Sequence, residues 1–119
     1  MTYVDGFVIP SPKRKTAAYK KLAQWGKKTW MKHGALHYFE CMADDLSVWP
    51  GCGKGFKGMV KLKPNETLWF SFLVYKNKAQ RDAINKKVMQ EMERQGMPKS
   101  MPFDLKRMAH GGFKTIVQG

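Results

Sequence analysis

The chain has 119 residues, 43% hydrophobic and 13% aromatic, which fits one domain able to bury its own core and excludes a disordered chain. Its 22 Lys and Arg against nine Asp and Glu give a formal charge of +13, a field that attracts polyanions without naming one. Cys41 and Cys52, with no CxxC spacing and no matching histidine pair, indicate neither a disulfide framework nor a zinc site. No apolar run approaches the ~20 residues that cross a bilayer, and Met1 to Gly6 has no signal-type character, so a cytoplasmic location and no membrane partner are expected.

Tyr3 to Ile9 is β-rich and stops at Pro10-Ser11-Pro12, which predicts a first strand. Lys13 to His33 contains no proline and spaces Ala18, Leu22, Trp25 and Thr29 as the buried stripe of a first helix, with Gly34 as its C-terminal stop. The opposite side carries Lys20, Lys21, Gln24, Lys27, Lys28 and Lys32 at the same period, and between Gly6 and Phe39 eight Lys and Arg stand with no acid. Leu36 to Met42 reads as a second strand, followed by a loop from Ala43 through Gly55. Phe56 to Leu62 and Thr67 to Tyr75 read as strands joined by the Pro64-Asn65-Glu66 turn, the latter apolar enough to be central. Asn77 opens a second helix with Gln80 as its capping partner and Ala83, Ile84, Val88 and Met92 as its buried stripe, ended by Gly96 and Pro98. Gly112 to Val117 is the expected last strand.

This order predicts an α+β fold, a split βαβ arrangement with an extra hairpin strand and two helices on one face of an antiparallel sheet. The other face then needs a cover, either a partner's sheet or single-stranded nucleic acid.

Several strings stand together in order: Tyr3-Val4-Asp5-Gly6-Phe7, Gly34-Ala35-Leu36, Glu40-Cys41, Phe70-Ser71, Arg81-Asp82-Ala83 with Asn85, Ser100-Met101-Pro102-Phe103-Asp104, Lys106-Arg107-Met108 and Gly111-Gly112-Phe113. With them the chain resembles the YbaA-like family of uncharacterised bacterial proteins over nearly its whole length; only residues 46 to 58 fit less well. The resemblance implies a ferredoxin-like fold assembled as a dimeric αβ-barrel, a homodimer enclosing a lumen, and implies no reaction.

Strand alternation puts Tyr3, Asp5 and Phe7 on one face and Leu36, Tyr38 and Glu40 on one face. Turned away from the helices, Asp5 and Glu40 would project into an aromatic-lined lumen, either as a ligand site or as a polar cluster that fixes strand register. Arg81 and Asn85, one helical turn apart, and Arg107 and His110, beside the two glycines, complete the ligand-binding candidates; capping and interstrand hydrogen bonding are the favoured account of Arg81, Asp82 and Asn85, and an anion-binding role is the lesser one. No Ser-His-Asp or Cys-His pairing is discernible, and neither a metal nor a cofactor is expected. Gly51-Cys52-Gly53-Lys54-Gly55 lacks the spacing of a phosphate-binding loop, and Lys54 to Val60 departs from the RNA-recognition signature by an inserted residue and a missing second aromatic. The expected role is small-molecule binding or turnover in the lumen; the alternative is a basic RNA-binding domain using Lys20, Lys21, Lys27 and Lys28 with little sequence specificity.

Overall fold

The computed structural model describes every residue except Met97 and Lys99. Its elements are β1 (Tyr3–Pro12), a 3-10 turn (Lys13–Lys15), α1 (Thr16–Lys32), β2 (His37–Met42), α2 (Phe56–Met59), β3 (Glu66–Tyr75), α3 (Lys78–Gln95), a second 3-10 turn (Leu105–Arg107) and β4 (Ala109–Lys114). The four strands pair antiparallel in the order β2-β3-β1-β4, so α1 and α3 each join two strands that flank a third. The result is an open sheet with helices on one face, a slab 41 × 39 × 20 Å, and not a barrel closed within the chain.

Three strand boundaries differ from expectation. β1 runs on through Pro10 and Pro12, pairing with Leu68 and Glu66, whereas β4 flanks it only as far as Val8. A strand flanked on one side tolerates a residue without N–H. Phe56 to Leu62 adds no hairpin strand: Met59 and Val60 donate to the carbonyls of Gly55 and Phe56 to form the single turn α2, and Lys61 lies at φ 51°. A left-handed residue and a glycine within these seven positions break an extended run. β4 starts at Ala109 and not at Gly112, because its glycines are a packing requirement of the strand: a Cβ at Gly112 would collide with Arg81 and with the Tyr3 hydroxyl.

α3 begins as predicted, Asn77 Oδ1 accepting from Gln80 N at 2.8 Å, and buries Ile84 and Val88; Ala83 is exposed, and Glu91 takes the third buried place. On α1 the buried residues are Tyr19, Gly26 and Thr29, not the stripe through Ala18, Leu22 and Trp25. Two clusters fill the space between the layers. Ala35, Leu73, Tyr75, Ile84 and Val88 form one, and Ile9, Tyr19 and Trp69 the other, Tyr19 stacking on Trp69 with ring centroids 4.1 Å apart.

The face turned away from α1 and α3 is apolar. Phe39 stacks on Phe72 at 4.8 Å and Phe70 lies 5.9 Å from Phe72, yet Phe39 and Phe70 are 47% and 46% exposed. Phe56 of α2 touches Phe70 at the edge of this patch.

Candidate functional site

Asp5 and Glu40 lie on the helix-covered face, which corrects their expected placement in a lumen beyond it. Register fixes this: Asp5 pairs with Leu73 and Glu40 with Ser71, residues that alternate with the outward Phe70 and Phe72. Both carboxylates face a cleft of about 980 Å³ between the sheet and the two helices, within the range of roughly 300–1,000 Å³ typical of small-molecule sites. Ala18, Leu22 and Trp25 wall it on the α1 side and Met89 and Met92 on the α3 side, so the stripe predicted for the core serves the cleft instead.

Glu40 stands at the floor. Tyr19 Oη donates to its Oε1 at 3.1 Å and Tyr38 Oη to its Oε2 at 2.8 Å, one hydroxyl on each oxygen. Burial raises the Glu40 pKa above the usual 4.5, and the hydrogen bonds from Tyr38, Tyr19 and Ser71 offset this only in part. Burial first, and the neighbouring carboxylate second, push both phenols well above their ordinary range, so each stays a neutral donor. Gly26 of α1 is what lets the helix approach: a Cβ there would come within 2.6 Å of the Tyr38 hydroxyl.

Asp5 belongs to a second, compensated group. Arg81 Nε donates to its Oδ1 and Oδ2 at 3.0 and 3.2 Å, and Arg81 Nη1 reaches Asp82 at 2.7 Å while the guanidinium lies 5.0 Å from the Tyr3 ring centroid. Asn85 Nδ2 donates to Asp5 at 3.4 Å, and Asn85 Oδ1 accepts from Trp30 Nε1 at 3.0 Å and Tyr75 Oη at 3.3 Å. Every polar group here has a protein partner, which makes it a brace between β1, β3 and α3.

The structure therefore brings five of the predicted residues, Asp5, Tyr38, Glu40, Arg81 and Asn85, to one cleft, and His110 joins them, stacked on Phe7 at 5.7 Å. Arg107 is elsewhere: it pairs with Glu66 and donates to the Val60 and Lys61 carbonyls at 3.1 Å, beside a smaller hollow of about 330 Å³. That contact, with Ser11 Oγ donating to the Pro102 carbonyl at 2.7 Å and Phe103 packed near Tyr19, gives the Met-Pro-Phe-Asp segment an architectural role. Lys20, Lys21, Lys27 and Lys28 are exposed on α1, Lys21 at the rim of the cleft. Tyr19 and Ser71 were missed in the sequence; the signal for Tyr19 was a helical face of Tyr19, Ala23, Gly26 and Trp30, masked by its glycine. Among the described residues no group of three His, Cys, Asp or Glu could hold a metal ion, and no helix is long and apolar enough to cross a membrane.

A family model described as protein of unknown function (DUF1428) matches residues 2–105. The chain belongs to this DUF1428 family. It is similar to the uncharacterized protein YbaA of Escherichia coli K12, 40% identical over 117 residues covering 98% of both chains, and shows the same identity and coverage to the YbaA proteins of E. coli O157:H7 and Shigella flexneri. The YbaA-like resemblance seen in the short motifs is thus shown over the full length. The DUF1428 match ends before the Gly111-Gly112-Phe113 block, which the alignments to YbaA are long enough to include in large part.

Proposed function

We propose that this chain is a small-molecule-binding protein whose ligand occupies the cleft over Glu40, in a homodimer formed across the open sheet face. The observation that carries the reading is a half-buried carboxylate of raised pKa, held by two tyrosines, at the floor of an apolar cleft large enough for a metabolite. Perturbed carboxylates in clefts concentrate at functional sites. The dimer rests on the exposed Phe39, Phe70 and Phe113, an apolar patch that soluble monomers rarely leave in water. Two ferredoxin-like sheets facing one another would give the dimeric αβ-barrel, with the ligand cleft on the outer side of each sheet and not in the lumen.

The RNA-binding reading draws less support from the geometry. Tight single-strand binding needs phosphate-tracking cations beside stacking aromatics. Here the lysines stand on the helix layer, while Phe39, Phe70 and Phe72 stand on the opposite face of the sheet.

Native mass spectrometry of protein purified under gentle conditions tests the proposal. The expected result is a mass of two 13.7 kDa chains carrying a small molecule that the Glu40→Gln variant does not retain. A ligand-free monomer at micromolar concentration, with no shift in melting temperature across a metabolite library, would overturn it.

A further inference from the structure

The acids of this chain are not all treated alike. Buried Asp5 is paired with Arg81, buried Glu66 with Arg107, and buried Glu91 with Lys32 at 2.5 Å and His33 at 2.6 Å. Glu40, also withdrawn from water, makes no ion pair among the described residues, in a chain with 22 Lys and Arg to choose from. Its hydrogen-bond partners among the described residues are hydroxyls, those of Tyr19 and Tyr38 with Ser71 beside them, which donate without neutralising charge. Withdrawing a carboxylate from water is costly unless a cation compensates it.

The compensating cation has room to come from the ligand. The cleft before Glu40 presents the rings of Tyr19, Tyr38, Trp25 and Trp30, and aromatic faces attract ammonium groups. We propose that the cleft takes a protonated amine with an apolar body, its ammonium bound to the Glu40 carboxylate and its body against these aromatic walls. This inference rests on the cleft being a ligand site. An ammonium supplies both the missing charge and three N–H donors, whereas an alcohol supplies one donor and no charge and a carboxylate ligand would be repelled. Tyr19 and Tyr38 act as positioning residues, holding the carboxylate toward the cleft floor.

A proton competes with the amine for the same carboxylate. Affinity should therefore fall as pH drops through the Glu40 titration, and binding should release protons in that range. At high pH it should fall again as the amine loses its own charge.

Calorimetry with a matched series on one skeleton, phenethylamine, 2-phenylethanol and phenylacetate, tests the inference. The amine should bind at least tenfold more tightly than either analogue at pH 7, and Glu40→Gln should cost at least tenfold in amine affinity and less than that in alcohol affinity. Tyr38→Phe should weaken the amine by less. Equal or tighter binding of the alcohol or the carboxylate by the wild-type protein would overturn the amine assignment and leave the cleft standing as a ligand site. No binding by any of the three, nor by tryptamine with its larger ring, would overturn the amine assignment, and the cleft reading would then stand or fall on the metabolite-library screen. The wild-type series decides the matter even if a variant folds poorly.

Discussion

Gly26 of α1 lies over the hydroxyl of Tyr38 so closely that a Cβ at position 26 would approach it to 2.6 Å and its ring carbon to 3.3 Å. Alanine normally favours a helix interior over glycine by ~1 kcal/mol. At position 26 the added methyl must displace Tyr38 or the helix, an overpacking that costs roughly 1–3 kcal/mol. Gly26→Ala is therefore expected to lower stability by about 1 kcal/mol net and to loosen the Tyr38 to Glu40 hydrogen bond. Chemical denaturation reads the first effect and the hydroxyl or ring resonances of Tyr38 the second; a variant more stable than the wild type would contradict the close approach.

Among the described residues Asp5 forms its ion pair with Arg81 alone. Removing one member of a buried pair strands the other, at a cost of roughly 3–5 kcal/mol when burial is complete. Arg81 is 22% exposed, so Arg81→Ala is expected to cost about 2 kcal/mol. The double variant Asp5→Asn with Arg81→Ala should recover part of this loss, as a coupling measured in a double-mutant cycle. Gly112→Ala should resemble Arg81→Ala, because its Cβ would occupy the space of the guanidinium and the Tyr3 hydroxyl. Additive losses in the cycle would show that the pair is not a structural brace.

Alternation made it legible that Asp5, Tyr38 and Glu40 would share faces with their neighbours, and the helix cap at Asn77 and Gln80 was read correctly. Which face of the sheet the helices cover was not legible, because β3 is apolar on both sides: Trp69, Leu73 and Tyr75 point to the helices, Phe70 and Phe72 away from them. The usual rule that polar residues face out pointed the wrong way, since here the acids are inside and the phenylalanines outside. Residues 56 to 62 looked like a strand by composition, and only the backbone at Lys61 and the hydrogen bonds of Met59 and Val60 show why they turn instead.

The exposed lysines of α1 give a prediction about charge. Replacing Lys20, Lys21, Lys27 and Lys28 by Gln should change stability by less than about 0.5 kcal/mol, since none of them makes an ion pair among the described residues. Wild-type binding to a generic oligonucleotide should be weak at near-physiological salt, equal to that for heparin, and mostly abolished by the four changes. Micromolar oligonucleotide binding that survives them would point to the lysines of the loop from Lys54 to Lys63.

Glu40 predicts a pH signature opposite to that of Glu66 and Glu91. Its folded-state pKa lies above 4.5, so the folded protein binds the Glu40 proton more tightly than the unfolded chain does. The stabilisation that this provides is complete below about 4.5 and is lost as pH rises through the folded-state value, above which the ionised carboxylate, without an ion pair among the described residues, weighs against folding. Glu66 and Glu91 are depressed, first by the hydrogen bonds from Arg107 and Lys32 respectively, and contribute stability above 4.5 that disappears as pH falls. Wild-type stability therefore mixes two opposed trends, and Glu40→Gln separates them. Gln keeps the shape and one acceptor but cannot ionise, so the variant should gain stability relative to the wild type between pH 4 and pH 7 while losing ligand retention. Melting curves of both proteins at pH 4, 5.5 and 7 measure the gap. A gap that stays constant would mean that the Glu40 titration is not coupled to folding, whereas one that widens with pH identifies a carboxylate kept in the cleft at the expense of stability.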